Sequence, residues 1–410
     1  MRTILCYSIA LALVSLAAVP TSAQAQSSAT PAADAWQFVP EWNLRLRYEQ
    51  VDDDAFLHSA DASTLRVRAG LRLRYGTRFS AFLEGEGIAA FAGDYNSGAN
   101  GRTTFPAIPD ARGAEINQAY LQWKNPKLQA SLGRQRLLFD NQRWIGNSGW
   151  RQNEQTFDAL AFVWTPRPDV TARYAWLERV HRVNGDDARD PLARERALDT
   201  HAFNLAWQRG GLQLTGYAYL HDDRDVATAS TRTLGLRAAF SRKWSGGAYG
   251  ATFEWAEQDD YADNPLSFRH RYWLVEPSFS WKGTTFRAGW EHLGGNGTHA
   301  LQTPLATLHA FNGWADKFLS TPNRGLDDRY LAASGGFGPG PRASKFNWAL
   351  AWHDYQADQG GADYGREWNA SLGFPVCKRI VGLVKLADYR SDGFARDTRK
   401  LWLQLEWKNP

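Results

Sequence analysis

Leu65-Arg66-Val67-Arg68-Ala69-Gly70-Leu71-Arg72-Leu73-Arg74-Tyr75 sets apolar residues against arginines one for one. The same pattern runs just before it in Leu44-Arg45-Leu46-Arg47-Tyr48-Glu49. Successive side chains of an extended strand point to opposite faces. All six arginines of the two stretches therefore share one face, and the leucines, Val67 and the tyrosines share the other. A soluble sandwich would turn the apolar face inward. A membrane barrel turns it to lipid and keeps the polar face for a water-filled lumen.

The connections separate these two cases. Short ones fall at Tyr75–Thr77, Lys124–Pro126, Thr165–Pro168, Gln208–Gly211, Arg242–Gly247, Lys282–Thr284, Gly335–Pro341 and Phe374–Lys378. Between them lie longer polar stretches at Asp52–Ser63, Asp94–Arg112, Asp140–Gln155, Arg182–Thr200, Asp222–Ser230, Asp259–Phe268, Gly294–Leu326, Ala357–Gly365 and Ser391–Asp397. Eight short turns alternating with nine long loops predict eighteen strands. The even count and the asymmetry are those of an all-β transmembrane antiparallel barrel, with short turns on the periplasmic side and long loops outside. Trp123, Trp164, Trp207, Trp281 and Trp407 stand beside short turns or the end of the chain, as an interfacial girdle requires. Trp123-Lys124-Asn125-Pro126 recurs as Trp407-Lys408-Asn409-Pro410, a likeness of hairpin ends and not a solenoid repeat.

Residues 1–25 read as a signal peptide: Arg2, an apolar run from Ile4 to Ala18, and Ala23-Gln24-Ala25 before Gln26. That run is too short for a retained spanning helix. A polar lead is expected over 26–38 and a single barrel over 39–410. Cys6 falls in the leader, so Cys377 is left alone and no disulfide is expected. The net formal charge is only +4, so any electrostatic function must come from the arrangement of charges, and nothing points to nucleic acid. Mean hydropathy is −0.49 and no later apolar run approaches 18 residues, which excludes a helical membrane protein. The 19 Trp, 15 Tyr and 21 Phe suit contact with outer-membrane lipids.

Leu132-Gly133-Arg134-Gln135-Arg136-Leu137-Leu138-Phe139-Asp140-Asn141-Gln142-Arg143-Trp144-Ile145-Gly146, with Gly149-Trp150-Arg151-Gln152-Asn153 and Thr156-Phe157-Asp158 after it, resembles the alginate export family of outer-membrane porins. His309-Ala310-Phe311-Asn312-Gly313-Trp314-Ala315-Asp316-Lys317-Phe318-Leu319 resembles it too. The resemblance implies an eighteen-stranded barrel whose electropositive constriction passes an anionic polyuronate outward by diffusion; a periplasmic export complex is a partner that the export reading alone would bring. One departure is that the last strand ends Trp407-Lys408-Asn409-Pro410 where an aromatic terminus is usual.

Fixed guanidinium groups stay protonated and hold a carboxylate through two parallel hydrogen bonds, so arginine rings suit the passage of anions. Arg45, Arg47, Arg66, Arg68, Arg72 and Arg74 are expected to line the pore. Packed like charges repel, so Glu49, Glu84 and Glu86 are expected beside them. In the other reading the same charges form a ladder that stiffens the wall. Phase adds Asp158, Arg173, Arg237, Glu254, Glu276, Arg287, Glu291, Lys345 and Glu406. Arg151 is added from the family-like block. Arg134 is retained there although its phase is that of Leu132, on the lipid side unless Gly133 marks a bulge.

Acidic groups such as Asp52-Asp53-Asp54, Asp222-Asp223 and Asp259-Asp260 lie in outer loops without the spacing of a calcium site, so no metal is expected. The loop Gly294–Leu326, carrying His299, His309, Trp314 and Asp316, is long enough to fold inward and narrow the pore. His201 and His353 are expected to face the lumen, without a serine partner. No Gly-x-Ser-x-Gly, His-Glu-x-x-His or phosphate-binding glycine loop occurs, so neither an enzyme nor a cofactor is expected. Export of an anionic polysaccharide is the leading expectation. Uptake of small anionic or neutral solutes is the alternative, and a plugged structural barrel is a third.

Overall fold

The computed structural model describes residues 35–338 and 346–408. The expected signal peptide and Lys345 lie outside the described residues. The strands are β1 (Trp36–Asp53), β2 (Ala60–Tyr75), β3 (Phe79–Ala92), β4 (Gly113–Lys124), β5 (Leu128–Gln135), β6 (Thr156–Arg167), β7 (Val170–His181), β8 (Glu195–Arg209) and β9 (Leu212–His221). The second half of the chain continues with β10 (Thr231–Trp244), β11 (Gly247–Asp260), β12 (Arg269–Trp281), β13 (Thr284–Leu293), β14 (Leu326–Phe337), β15 (Phe346–Gln356), β16 (Asp363–Pro375), β17 (Ile380–Ser391) and β18 (Thr398–Lys408). Among the described residues one α-helical turn, Pro191–Arg194, started by the Asp190 side chain, which accepts from the Leu192 amide, and two 3-10 turns, Ala227–Ala229 and Leu308–Ala310, lie between them.

Each strand pairs antiparallel with the next, and β1 closes on β18 in a register running from Asn43 opposite Lys408 to Asp53 opposite Thr398. Closure leaves the 18-stranded sheet without an edge, the only way for strands to satisfy their backbone groups in lipid. The expected strand number and alternation of turns and loops are both observed. β1 begins at Trp36, three residues before the expected boundary, because outward-facing Trp36 and Phe38 continue the alternation past Pro40.

Burial is inverted relative to a soluble protein. Leu121, Leu331 and Trp164 are 63%, 57% and 51% exposed, whereas Arg47, Arg66 and Glu49 are 1%, 1% and 0% exposed. The apolar face of each strand thus forms the lipid band, and the charged face points into the lumen.

Two long connections do not stay at the rim. L3 (residues 136–155) and L7 (residues 294–325) enter the barrel, as expected for L7. There they form an apolar core with the inner wall, in which Phe139, Trp144, Leu301, Leu305 and Phe318 pack with Tyr219, Tyr272, Tyr389 and Trp402.

Candidate functional site

L3 crosses the lumen between opposite walls. On the far side, the Trp144 indole packs on Tyr217 of β9 and Tyr272 of β12 and donates to Glu254 of β11 at 2.9 Å. Arg143 pairs with Glu291 of β13 at 2.9 Å and donates to Asn312 of L7 at 3.1 Å.

The loop then returns to β1 and β2, where the arginines meet its backbone. Arg45 donates to the carbonyls of Gly149, Trp150 and Arg151, each at 3.1 Å. Arg47 donates to the Trp150 carbonyl at 2.6 Å, and Arg66 to that of Gln152 at 3.2 Å. A loop carried into a lumen must satisfy its carbonyls, and these guanidiniums do so as charge-assisted donors.

The expected carboxylates stand beside them. Glu86 binds Arg68, Glu84 pairs with Arg136 at 2.9 Å, and Glu406 pairs with Arg45 at 3.3 Å. Loop residue Glu154 accepts from Asn117 at 2.7 Å and pairs with Arg68 at 3.1 Å. Burial alone would raise the Glu154 carboxyl, but Arg68 and Arg136 hold it below the usual range.

L3 and L7 are latched to each other. Gly146 donates its amide to the Leu305 carbonyl at 2.9 Å, and Thr307 donates to that of Gln142 at 3.1 Å. Arg151 spans the two loops and the wall, bonding Glu49 of β1 at 3.2 Å and Asp316 of L7 at 2.8 Å. Trp150 stacks on His309 with centroids 4.9 Å apart, and the Lys385 ammonium lies 4.0 Å from the Trp150 ring centroid. Burial is the main cause that pushes His309 down to about 3. Burial would raise Asp316, yet His309 and Lys400 hold it well below the carboxylate range. The closed latch thus contains a neutral imidazole beside an ionised carboxylate.

The predicted arginines accordingly divide. Arg45, Arg47, Arg66, Arg68 and Arg151 face inward but are buried under the loops they hold. Arg72 lies on the lumen face towards the short turns, paired with Glu41 at 2.8 Å and set over the Phe82 ring, while Arg74 beyond it is exposed. The uncovered charge lies across the barrel, in the chamber on the turn side of the loops. Arg173 of β7 makes no ion pair within 4.0 Å among the described residues. Arg287 of β13 has only Glu276 at 3.9 Å among the described residues, whereas Arg237 of β10 is held by Glu254 at 2.5 Å, the carboxylate that Trp144 of L3 also bonds, and is not part of the uncovered charge. Arg173 and Arg237 act on the Asp140 carboxyl of L3, which burial nonetheless raises.

Three positions differ from expectation. Arg134 and Asp158 share the outer face with Leu132 and Leu160, and they bond each other at 3.0 Å. Gly133 takes φ +119° without shifting register, so Arg134 stays opposite Asp158 and no bulge turns it inward. His201 also faces out, stacked near Tyr174 and lipid-exposed Phe203, because it keeps the phase of Phe203 and Leu205. His353 is buried on the inner side, 2.9 Å from Asp328. One acid of each of these loop groups is spent on an ion pair: Asp53 with Lys317, Asp223 with Arg196, and Asp259 with Arg232. Trp150, Arg143 and Lys385 were not singled out from the sequence, although two of them lie in the family-like block and its density of charged and aromatic residues was the available signal.

The fold is that of solved outer-membrane proteins. Acinetobacter baumannii OccAB2 is similar with a TM-score of 0.69 and 15% identity over 90% of this chain and 98% of that one. Pseudomonas aeruginosa OccK5 (OpdH) gives 0.69 and 14% over 91% and 98%, and OpdK of the same organism, in a structure with vanillate, gives 0.68 and 14% over 90% and 98%. No curated protein matches the chain by sequence. The model of the alginate export family matches residues 41–258, just over half of the chain and including all of L3. With a closed barrel, a lipid-facing apolar band and a charged lumen already established, that match decides the matter: the chain is an outer-membrane channel of Gram-negative type and belongs to the alginate export family.

Proposed function

We propose that this channel takes up small anionic solutes, drawn through the lumen by the arginines left uncovered in the turn-side chamber. The observation that carries this reading is the L3–L7 latch. It spans the lumen and covers Arg45, Arg47, Arg66 and Arg68, so a passing chain of sugars has no access to them. The lumen arginines that remain weakly paired are Arg173 and Arg287, fixed charge suited to a single carboxylate. The OpdK structure with vanillate, a small carboxylate, supports the same size class. Polyuronate export is the second reading, favoured by the family match; it requires L3 and L7 to leave the lumen.

The test is planar-bilayer recording of the refolded protein, with reversal potentials in a salt gradient and flux of glucuronate against oligouronates. Anion selectivity that weakens in Arg173→Ala and Arg287→Ala, with glucuronate passing and oligouronates excluded, is the expected result. Oligouronate passage through the unmodified protein, or cation selectivity, refutes it.

A further inference from the structure

At the loop end of the barrel, separate from the turn-side chamber, a cavity of about 400 Å³ opens between L7 and the wall of β8 to β12. This volume suits a single-ring molecule and is at the small end of ligand pockets. Arg182, just after β7, and Arg196 of β8 form one side; Phe268, Leu308 and Leu319 supply apolar surface; Gln258 adds an amide. No carboxylate lines the cavity.

The two arginines are held differently here. Arg196 is committed to the buried Asp223 at 2.9 Å, and Asp223 also accepts the amide of Val226 at 2.9 Å. Arg182 has no ion pair within 4.0 Å among the described residues. Burial, and then the neighbouring Arg196, push the Arg182 guanidinium down to about 10, and the more distant carboxylates of Asp223 and Asp190 offset only part of this. A half-buried cation beside a second cation gains from an incoming anion, and a planar guanidinium favours a carboxylate. Inorganic anions would leave the leucines and Phe268 unused.

We infer that this cavity is a docking site for a small organic carboxylate with an apolar body, its carboxylate on Arg182 and its ring against Phe268, Leu308 and Leu319. The inference rests on the small-anion reading of the channel but fails or stands separately from it.

Isothermal titration of the detergent-solubilised protein with benzoate tests it, with benzyl alcohol as the uncharged probe. Benzoate is expected to bind better than benzyl alcohol, and Arg182→Ala to weaken benzoate by about tenfold to a hundredfold, the worth of one charged hydrogen bond. Arg182→Lys, which keeps the charge and loses the fork, is expected to fall between. Because Arg182 holds no ion pair, its removal leaves the wall bonding intact. Failure of benzoate to bind, equal binding of benzyl alcohol, or an unchanged Arg182→Ala variant each overturns the site. A cation-selective channel that still binds benzoate through Arg182 refutes the uptake reading and leaves the docking site standing.

Discussion

Replacing Arg151 with alanine should unlatch the loops without opening the barrel. Among the described residues, Arg151 supplies both hydrogen bonds received by the Glu49 carboxylate, at 3.2 and 3.3 Å, and reaches Asp316 at 2.8 Å. Glu49 is fully buried, so its carboxylate would lose its donor and keep only the more distant charges of Arg47 and Lys385. Breaking one side of a buried pair costs about 3–5 kcal/mol. Water from the lumen can reach a loosened loop, and Asp316 keeps Lys400 at 2.8 Å, so the lower end applies. About 3 kcal/mol shifts the closed-to-open balance of the loops by roughly 10²-fold. The barrel hydrogen bonds are untouched, so the cost appears as loop release. Single-channel recordings should show larger and noisier conductance, and proteinase K added from the loop side should cut between residues 147 and 155. Glu49→Gln combined with Arg151→Ala should recover about half of the loss, since a neutral amide carries no stranded charge. Unchanged conductance and unchanged protease resistance in the single variant would refute the latch.

Acid should loosen the same latch. The packed His309 imidazole takes a proton only near 3, whereas a released one does so near its ordinary 6.5. Above 6.5 neither state binds the proton, and below it the released state is favoured by up to about 1.4 kcal/mol per pH unit. Asp316, depressed in the packed state, adds to the loss only below its ordinary 3.8. Protease sensitivity of L7 is therefore expected to rise as pH falls from 6.5 towards 3, and a flat profile would remove His309 from the mechanism. On the other face, Leu331→Arg places a charge on the lipid side of β14 and should cost about 2–4 kcal/mol if it lies near the midplane. Guanidinium unfolding from lipid vesicles measures this, and a neutral result would mean that the strand phase is wrong.

The walls were legible in the sequence and the lumen contents were not. Arg66, Arg68, Glu84 and Glu86 alternate with apolar residues, and local geometry fixes which face they share. Nothing local says what covers that face. The bond from Arg45 to the Gly149 carbonyl joins positions 104 apart, and that from Arg47 to Gln404 joins positions 357 apart. Periodicity also weakens near strand ends, where polar rim residues replace the lipid band. Asp158, near the start of β6, looks like a lumen residue by type while its phase is outward, and His201, within β8, does the same among aromatic neighbours. For Arg134 the phase was right, and Gly133 held its register.

The β1–β18 seam bears on how such a barrel comes to exist. Every other pairing joins strands adjacent along the chain, so hairpins can form as short-range events. The seam instead joins groups such as the Asn43 amide and the Glu406 carboxylate, 363 positions apart. Loop-closure entropy for that single contact cannot be recovered until the rest of the wall is in place. Assembly is thus a series of local steps with one slow ring closure at the end, and any delay in it leaves β1 and β18 as two open edges able to pair with another chain.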